Sequence, residues 1–316
     1  PPMPKCSTGE MQFGRVGRRI VEADFGGGAL SSDGGLMLLR EVDRRTGLSS
    51  AVAKALHDPR DPELITHALR DLVAQRLYGL CCGYEDLNDH TTLRSDPLMQ
   101  TAVGTGEALG SSATLCRMER QARRVDVVAL NRVLIDQFIA AQTVAPKELI
   151  LDIDASDIPL HGEQEHAEFN AYYDHYCYLP LYVFCGKAML GCVLRNSRID
   201  GAKHAAAVIR LLVLRLRQVW PKVRIIVRGD SGFCRQRLIR WCERQDVGYV
   251  IGVARNARLH RIVAPWEKRM AKRFARTQEK QRSIHEFQYA AGSWDKARRI
   301  VTRLEFGSQG INPRFI

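Results

Sequence analysis

The chain has 316 residues, of which 45% are hydrophobic and 26% charged, and its 47 Lys and Arg against 35 Asp and Glu give a formal charge of +12. This composition excludes a disordered polyelectrolyte and a membrane-spanning protein, because one of the longest uncharged stretches, residues 176–186, has eleven residues where a membrane helix needs about 20. The nine cysteines include no C-x-x-C pair and the first ten residues lack the apolar core of a signal peptide, so we expect a cytoplasmic protein with reduced thiols and no membrane partner.

The first part of the chain, residues 1–145, is predicted to be a helical region. Apolar residues at helical spacing predict helices at 32–45 and 49–56, a third that starts after Pro62, and two more at 112–124 and 125–142. A polar, turn-rich stretch at 86–97 separates the third helix from the last two.

After Pro146 the pattern changes from helical periodicity to short apolar runs separated by turns. It predicts strands at 149–154, 177–184 and 188–195, a helix at 201–219, a strand at 223–227, a helix at 234–244 and a strand at 248–253. Three strands followed by helix, strand, helix and strand is the order of a ribonuclease-H-like fold, whereas a Rossmann domain alternates strands and helices from its start. We therefore expect a mixed α/β (α+β) protein with a ribonuclease-H-like core at residues 146–254.

The net charge is confined to the second part of the chain. Residues before Pro146 carry −1 and those after it +13, and residues 255–282 hold ten basic side chains against Glu267 and Glu279 alone. A charge run is usually a solvated face, but +8 within 28 residues also suits a phosphate backbone. The candidate contacts to double-stranded DNA are Arg228, Arg255, Arg258, Lys268, Arg269, Lys272, Arg273 and Arg276.

Two aspartates lie where neighbouring strands of such a sheet would end. Asp154 ends the first strand of the core and Asp230 follows the fourth. Two adjacent carboxylates repel each other, and a divalent cation removes that cost. A pair of Mg²⁺ ions about 3.5–4 Å apart can promote attack on a phosphodiester. Each aspartate alone also fits a polar strand exit or a helix cap, and Asp152 and Asp157 compete with Asp154 for the first position.

Several separate motifs, in order, resemble one family. They are residues 151–157 (LDIDASD), 161–165 (HGEQE), 172–181 (YYDHYCYLPL), 228–233 (RGDSGF) and 254–257 (ARNA), with 25–28 (FGGG) and 31–35 (SSDGG) before them. Together they look like the Asp-Asp-Glu (DDE) transposases of bacterial insertion sequences, specifically the insertion sequence 1380 family. The resemblance covers most of the chain and is strongest from residue 149 to residue 258.

The resemblance implies a cut-and-paste transposase. Such an enzyme binds the terminal inverted repeats of its element, hydrolyses DNA with two Mg²⁺ or Mn²⁺ ions, and joins the ends to target DNA, usually as a homodimer. Asp154 matches the first acid of the family, with Ser156 at the family's threonine position, and Asp230 matches the second acid. The short helix at 113–120, with its small-residue start and arginines, fits a groove of DNA as well as a packed bundle, so residues 1–145 are expected to help bind the DNA ends. The protein is expected to lie on the bacterial nucleoid.

The third acid of the family has no match in this chain. The family's glutamate lies in a Tyr-x-x-Arg-x-x-x-Glu context on a helix that follows a β-rich insertion, and no tyrosine here has an arginine three residues later. The glutamates that remain belong by position to the insertion: Glu267, Glu279, Glu286 and Glu305. We therefore expect residues 255–316 to be a basic, β-containing and incomplete insertion, the chain to be truncated at its C-terminus, and this chain alone to be inactive.

Two alternatives stay open. The missing glutamate also fits a catalytically inactive DNA-binding remnant, which would bind DNA in a salt-dependent way without metal-dependent nicking. The two aspartates also fit another ribonuclease-H-like DNA nuclease, which would cut without joining strands.

Overall fold

The structure is a computed structural model that describes residues 11–16, 19–23 and 31–316. The chain divides into two compact units, Pro1–Val133 and Leu134–Ile316. The glycine run at residues 25–28 lies outside the described residues. No helix in the described part combines the length and the apolar character needed to cross a membrane.

The first unit consists of a β-hairpin followed by short helices. Strands β1 (Met11–Val16) and β2 (Arg19–Ala23) pair antiparallel. The helices are α1 (Leu36–Thr46), α2 (Leu48–Ala55), α3 (Leu69–Cys81), α4 (His90–Leu93), α5 (Pro97–Val103) and α6 (Ser112–Arg120), and α7 (Arg124–Ala140) continues into the second unit. Buried apolar residues such as Leu36, Tyr78 and Met99 form the core of this unit. The sequence did not predict the hairpin.

The third helix begins later than the sequence predicted. Residues Pro62–Leu64 form a single 3-10 turn, in which the side chain of Asp61 accepts a hydrogen bond from the backbone N–H of Glu63. Ile65 then has an extended backbone, so the helical conformation cannot continue and α3 starts at Leu69.

The second unit is built on a five-stranded mixed sheet. In chain order its elements are β3 (Glu148–Ala155), β4 (Ile158–Pro159), β5 (Glu168–Asn170), β6 (His175–Tyr178), β7 (Leu181–Cys185), β8 (Ala188–Val193), α8 (Ala205–Val219), β9 (Arg224–Gly229), α9 (Gln236–Arg244) and β10 (Gly248–Ile251). The strand order across the sheet is β10-β9-β3-β7-β8. Strands β3, β9 and β10 run parallel, and β7 and β8 join antiparallel. The chain is thus a mixed α/β protein, as expected.

One face of this sheet is covered by helices and the other bears the polar groups. Along β3, Leu149, Leu151 and Ile153 alternate inward and are buried against α8 and α9. The intervening residues Asp152 and Asp154 lie on the opposite face, where side chains are partly or fully exposed. This alternation places polar groups and helices on different faces.

The predicted strand at 177–184 is wrong, because it is two strands in two sheets. Strand β6 pairs with β4 and β5 in a small three-stranded sheet, whereas β7 pairs with β3 and β8. Pro180 lies between them and has no backbone N–H to donate, so one continuous ladder cannot pass through it.

The basic segment after residue 255 is a helix on a third sheet. Helix α10 (Ala257–Thr277) packs Leu259, Val263 and Met270 onto the antiparallel sheet of β11 (Gln281–Tyr289), β12 (Arg298–Gly307) and β13 (Gly310–Phe315). The buried guanidinium of Arg298 joins this sheet to α9 through Glu243, with Nε to Oε1 at 2.8 Å. Residues 281–315 of this segment thus contain strands, and its first third is helical.

Candidate active site

The structure brings Asp154 and Asp230 to adjacent positions on neighbouring strands. In the parallel β3–β9 pair, Ile153 is in register with Gly229, and each aspartate is the next residue along its strand direction. Neighbouring strands lie about 4.8 Å apart. By alternation both side chains project from the face opposite α8 and α9, and both residues are exposed. The two aspartates therefore occupy neighbouring positions at the carboxyl edge of the sheet.

Two glycines let the backbone pack closely around Asp230. A Cβ on Gly229 would lie 2.9 Å from Cγ2 of Ile153, so only glycine lets β9 approach β3 at this register. A Cβ on Gly252 would lie 2.8 Å from the backbone nitrogen of Ser231 and 3.1 Å from the carbonyl carbon of Asp230. The exit of β10 thus supports the turn that carries Asp230.

Both carboxylates are oriented by hydrogen bonds and keep acceptor capacity. One oxygen of Asp154 accepts from the N–H of Ala155 at 2.9 Å and the other from the hydroxyl of Ser156 at 3.1 Å. Oδ1 of Asp230 accepts from the N–H of Gly232 at 2.9 Å. Within residues 31–316 neither carboxylate has a basic partner, so their charges remain available to a cation.

The two carboxylates that competed with Asp154 are engaged elsewhere. Asp152 forms a two-bond ion pair with the guanidinium of Arg228, one bond being 2.7 Å, and this contact raises the pKa of Arg228. Asp157 lies 2.8 Å from Nε2 of His175 on β6. Neither group is as free as Asp154 to bind an added cation.

Two polar residues near the site were not among the predicted site residues. Tyr173 lies beside the first carboxylate, its hydroxyl 3.5 Å from the carbonyl of Ala155, and burial together with the charge of Asp157 raises the pKa of its phenol. Oδ2 of Asp200 accepts a hydrogen bond from Nη2 of Arg235 at 2.7 Å. Burial acts to raise the pKa of Asp200, but the hydrogen bonds that its carboxylate accepts outweigh burial, so the pKa is lowered. Both belong to loops whose position only the fold reveals.

The four remaining glutamates all lie on α10 or on the third sheet and its connection. Glu267 lies on α10 and Glu279 just after it, Glu286 pairs with Arg299, and Glu305 lies 3.8 Å from the basic groups of Lys280 and Arg282. In the described ranges no group of three or more His, Cys, Asp or Glu is close enough to hold one metal ion. The structure therefore shows a pair of carboxylates and does not add a third.

The predicted DNA-contact residues of α10 share its exposed side. Lys268, Arg269, Lys272, Arg273 and Arg276 are all exposed. They project away from the stripe of Leu259, Val263 and Met270 that packs on the sheet. Helical geometry therefore converts a run of charge in sequence into one basic face.

The other three predicted contacts are held by protein groups. Arg228 binds Asp152, Arg255 donates from Nη2 to Oδ1 of Asn312 at 2.6 Å, and Arg258 donates to the carbonyl of Ala290 at 2.9 Å. Asn312 and the carbonyl of Ala290 are neutral, so these hydrogen bonds orient the guanidinium groups of Arg255 and Arg258 without compensating their positive charge.

Comparison with known proteins gives a family match. A family model described as transposase DDE domain group 1 matches residues 13–316. Among solved structures, the chain resembles one chain of the "Cryo-EM structure of piggyBac transposase synaptic complex with hairpin DNA", with a TM-score of 0.36, 13% sequence identity and 89% of this chain covered. The match spans 60% of the length of that transposase chain. No curated protein sequence matches significantly.

Proposed function

We propose, because this chain belongs to the family described as transposase DDE domain group 1, a specific function for it. It is a DNA transposase of a bacterial insertion sequence of the 1380 family. It binds the terminal inverted repeats of its element, cleaves double-stranded DNA in a metal-dependent reaction and joins the ends to target DNA. The observation that carries this proposal is the pairing of Asp154 and Asp230 on adjacent parallel strands.

The core that holds this pair is proposed to be ribonuclease-H-like. The sheet order β10-β9-β3-β7-β8, with β7 and β8 antiparallel to β3 and with β9 and β10 parallel to it, supports this assignment. The proposed domains are residues 1–145 for binding the DNA ends, 146–254 for the catalytic core and 255–316 for the basic insertion. Such sheets bind ligands at the carboxyl ends of their parallel strands, which is where both aspartates lie.

The two carboxylates fit a divalent cation. Their donors are oxygen atoms only, they are exposed, and no basic side chain in the described part neutralises them, which is the ligand chemistry that Mg²⁺ or Mn²⁺ prefers. Asp154 and Asp230 would hold the ions of a two-metal site. When bound, such ions activate the attacking oxygen and stabilise the leaving oxygen of a phosphodiester.

The residues of the chain would do the remaining work by orientation and charge. The hydroxyl of Ser156 and the backbone N–H groups of Ala155 and Gly232 fix the two carboxylates before substrate binds. The basic face of α10 would neutralise DNA phosphates and so hold the duplex near the sheet edge. Asp152 remains with Arg228, which keeps a competing carboxylate out of the cation site.

The remaining parts of the proposal follow from the family. We assign no carboxylate of this chain as the third catalytic acid. We therefore expect the isolated chain to bind the DNA ends without cutting them, unless another segment supplies that acid. The enzyme works as a homodimer on paired ends and acts on the bacterial nucleoid.

The test is DNA cleavage by the natural gene product on DNA that carries the ends of its element. Wild-type protein is expected to cut in the presence of Mg²⁺ or Mn²⁺, and Asp154→Asn and Asp230→Asn to lose cleavage while still binding DNA. Asp86→Asn is the matched control, because Asp86 is also exposed and also accepts a hydrogen bond from the N–H two residues later, at 2.8 Å, but lies in the first unit.

The outcomes separate the candidate functions. Retained cleavage in Asp230→Asn would reject the proposal. Salt-dependent binding without any metal-dependent cleavage would make the protein a DNA-binding remnant, and cleavage without joined products would make it a nuclease.

A further inference from the structure

A pocket beside Asp230 is lined by three arginines. It has a volume of about 390 Å³ and lies at the carboxyl ends of β9 and β10, with Gly229 and Ser231 on either side of Asp230 contributing to its wall. Its arginines are Arg228, Arg255 and Arg314, and we call it the arginine pocket. The volume is in the range of ligand-binding pockets, about 300–1,000 Å³.

The charge of the arginine pocket is only partly compensated. None of the described side chains that line it is acidic. Asp152 neutralises Arg228 from outside the lining. Arg255 is held by the neutral amide of Asn312, and the side chain of Arg314 is exposed with no acceptor among residues 31–316. Two positive charges thus face the pocket without a counter-ion from any side chain in the described part of the chain.

The fold maintains this charge at a cost. Arg314 on β13 is directly opposite Arg303 on β12, and like charges at paired positions of an antiparallel sheet destabilise it. Arg303 has Glu305 at 3.9 Å, but Arg314 has no such partner in the described part of the chain. An anion in the pocket would remove this repulsion.

The geometry selects a phosphate group. A guanidinium donates two parallel hydrogen bonds that match the oxygens of a phosphodiester, and Arg255 is already oriented by Asn312. A DNA strand lying over Asp154 and Asp230 would carry its next phosphates along this edge of the sheet.

We propose that the arginine pocket binds a backbone phosphate of the strand that is cut, next to the phosphate held at Asp154 and Asp230. This inference rests on the proposed function, because it takes DNA as the substrate. It assigns Arg314 to the same phosphate subsite as Arg255 and makes both positioning residues, which hold the strand in register without contacting the reacting atoms.

The test is a double-mutant cycle between protein and DNA. Element-end duplexes carry a single neutral methylphosphonate at each successive position near the cut site, and binding is measured with wild type, Arg314→Gln and Arg255→Gln. The matched control is Arg282→Gln, an exposed arginine of β11 in the same sheet that does not line the pocket. All three arginines are exposed, and thermal unfolding checks that each variant is folded.

Only one position is expected to be coupled to Arg314. Wild type should lose about 10-fold in affinity when that phosphate is neutral, the scale of a hydrogen bond to a charged group. Arg314→Gln should show the same loss with normal DNA and no further loss with the methylphosphonate at that position, because both changes remove one interaction. Arg282→Gln should remain as sensitive as wild type.

The outcomes distinguish this inference from the proposed function. If the losses multiply at every position while wild type cuts DNA, the arginine pocket is not the phosphate site. If the coupling is found but the natural gene product cuts no element-end DNA with Mg²⁺ or Mn²⁺, the proposed function fails and the pocket stands. A wild type that binds no DNA overturns both.

Discussion

Gly252→Ala should impair catalysis without touching either carboxylate. Its new Cβ would lie 2.8 Å from the backbone nitrogen of Ser231, whereas ordinary contacts begin at 3.4 Å, so the Asp230 turn must move by about 0.6 Å. The three nearest atoms, in Asp230 and Ser231, all belong to the backbone and cannot rotate away. Since a misplacement of about 1 Å can cost about 100-fold in rate, we expect cleavage to slow by about 10- to 100-fold.

The assay is metal-dependent cleavage of element-end DNA, with DNA affinity measured beside it. Affinity should change little, because Gly252→Ala alters no charge. Overpacking costs about 1–3 kcal/mol of stability, so rates are compared well below the melting temperature. Gly292→Ala is the control, since a Cβ there meets nothing within 4 Å. If Gly252→Ala cuts DNA as fast as Gly292→Ala, the position of the Asp230 turn does not control catalysis and the reasoning is refuted. If the wild-type protein does not cut, the Mn²⁺ affinities of the two variants are compared instead.

Three further predictions concern stability and DNA binding. The hydrogen bonds from Arg298 lower the pKa of Glu243 to about 2. The ionised carboxylate therefore stabilises the folded protein by up to about 3 kcal/mol above pH 4.5, and this contribution is lost as the pH falls towards 2. In urea unfolding measured against pH, Glu243→Gln should flatten the dependence in this range. Arg195→Met should lower the free energy of unfolding by about 3 kcal/mol or more, because three backbone carbonyls, including that of Leu179 at 2.8 Å, lose the buried guanidinium that donates to them. An unfolding midpoint equal to that of wild type would contradict this. In the double variant Lys272→Gln, Arg276→Gln, the slope of the logarithm of the DNA-binding constant against the logarithm of salt concentration should become shallower by about 0.9 for each phosphate that α10 no longer neutralises. An unchanged slope would mean that these α10 residues do not contact DNA.

The positions of the two carboxylates were predictable because strand ends have local signals and the expected strand order makes these two ends neighbours. Short apolar runs indicate buried strands, and a polar residue directly after such a run marks a strand end, so the positions of Asp154 and Asp230 followed once the strand order was known. The break at Pro180 was misjudged, because the apolar run continues through a residue that cannot donate to a ladder.

Other features depend on contacts between distant segments. The charges of α10 concealed the helical spacing of Leu259, Val263 and Met270, whose burial appears only against the third sheet. Arg314 had no signal at all in sequence, because its place beside Asp230 depends on the bridge between Val253 and Phe315. Sequence patterns thus located the carboxylates, and tertiary contacts located the groups around them.

The central claim is that Asp154 and Asp230 act together on a divalent cation. The most direct measurement is a Mn²⁺ titration followed by electron paramagnetic resonance, on wild type, each Asp→Asn variant and the double variant. Because both carboxylates would bind the same ions, each single substitution should weaken Mn²⁺ binding nearly as much as both together. Mn²⁺ binding equal to wild type in Asp230→Asn, or in the double variant, would contradict the account.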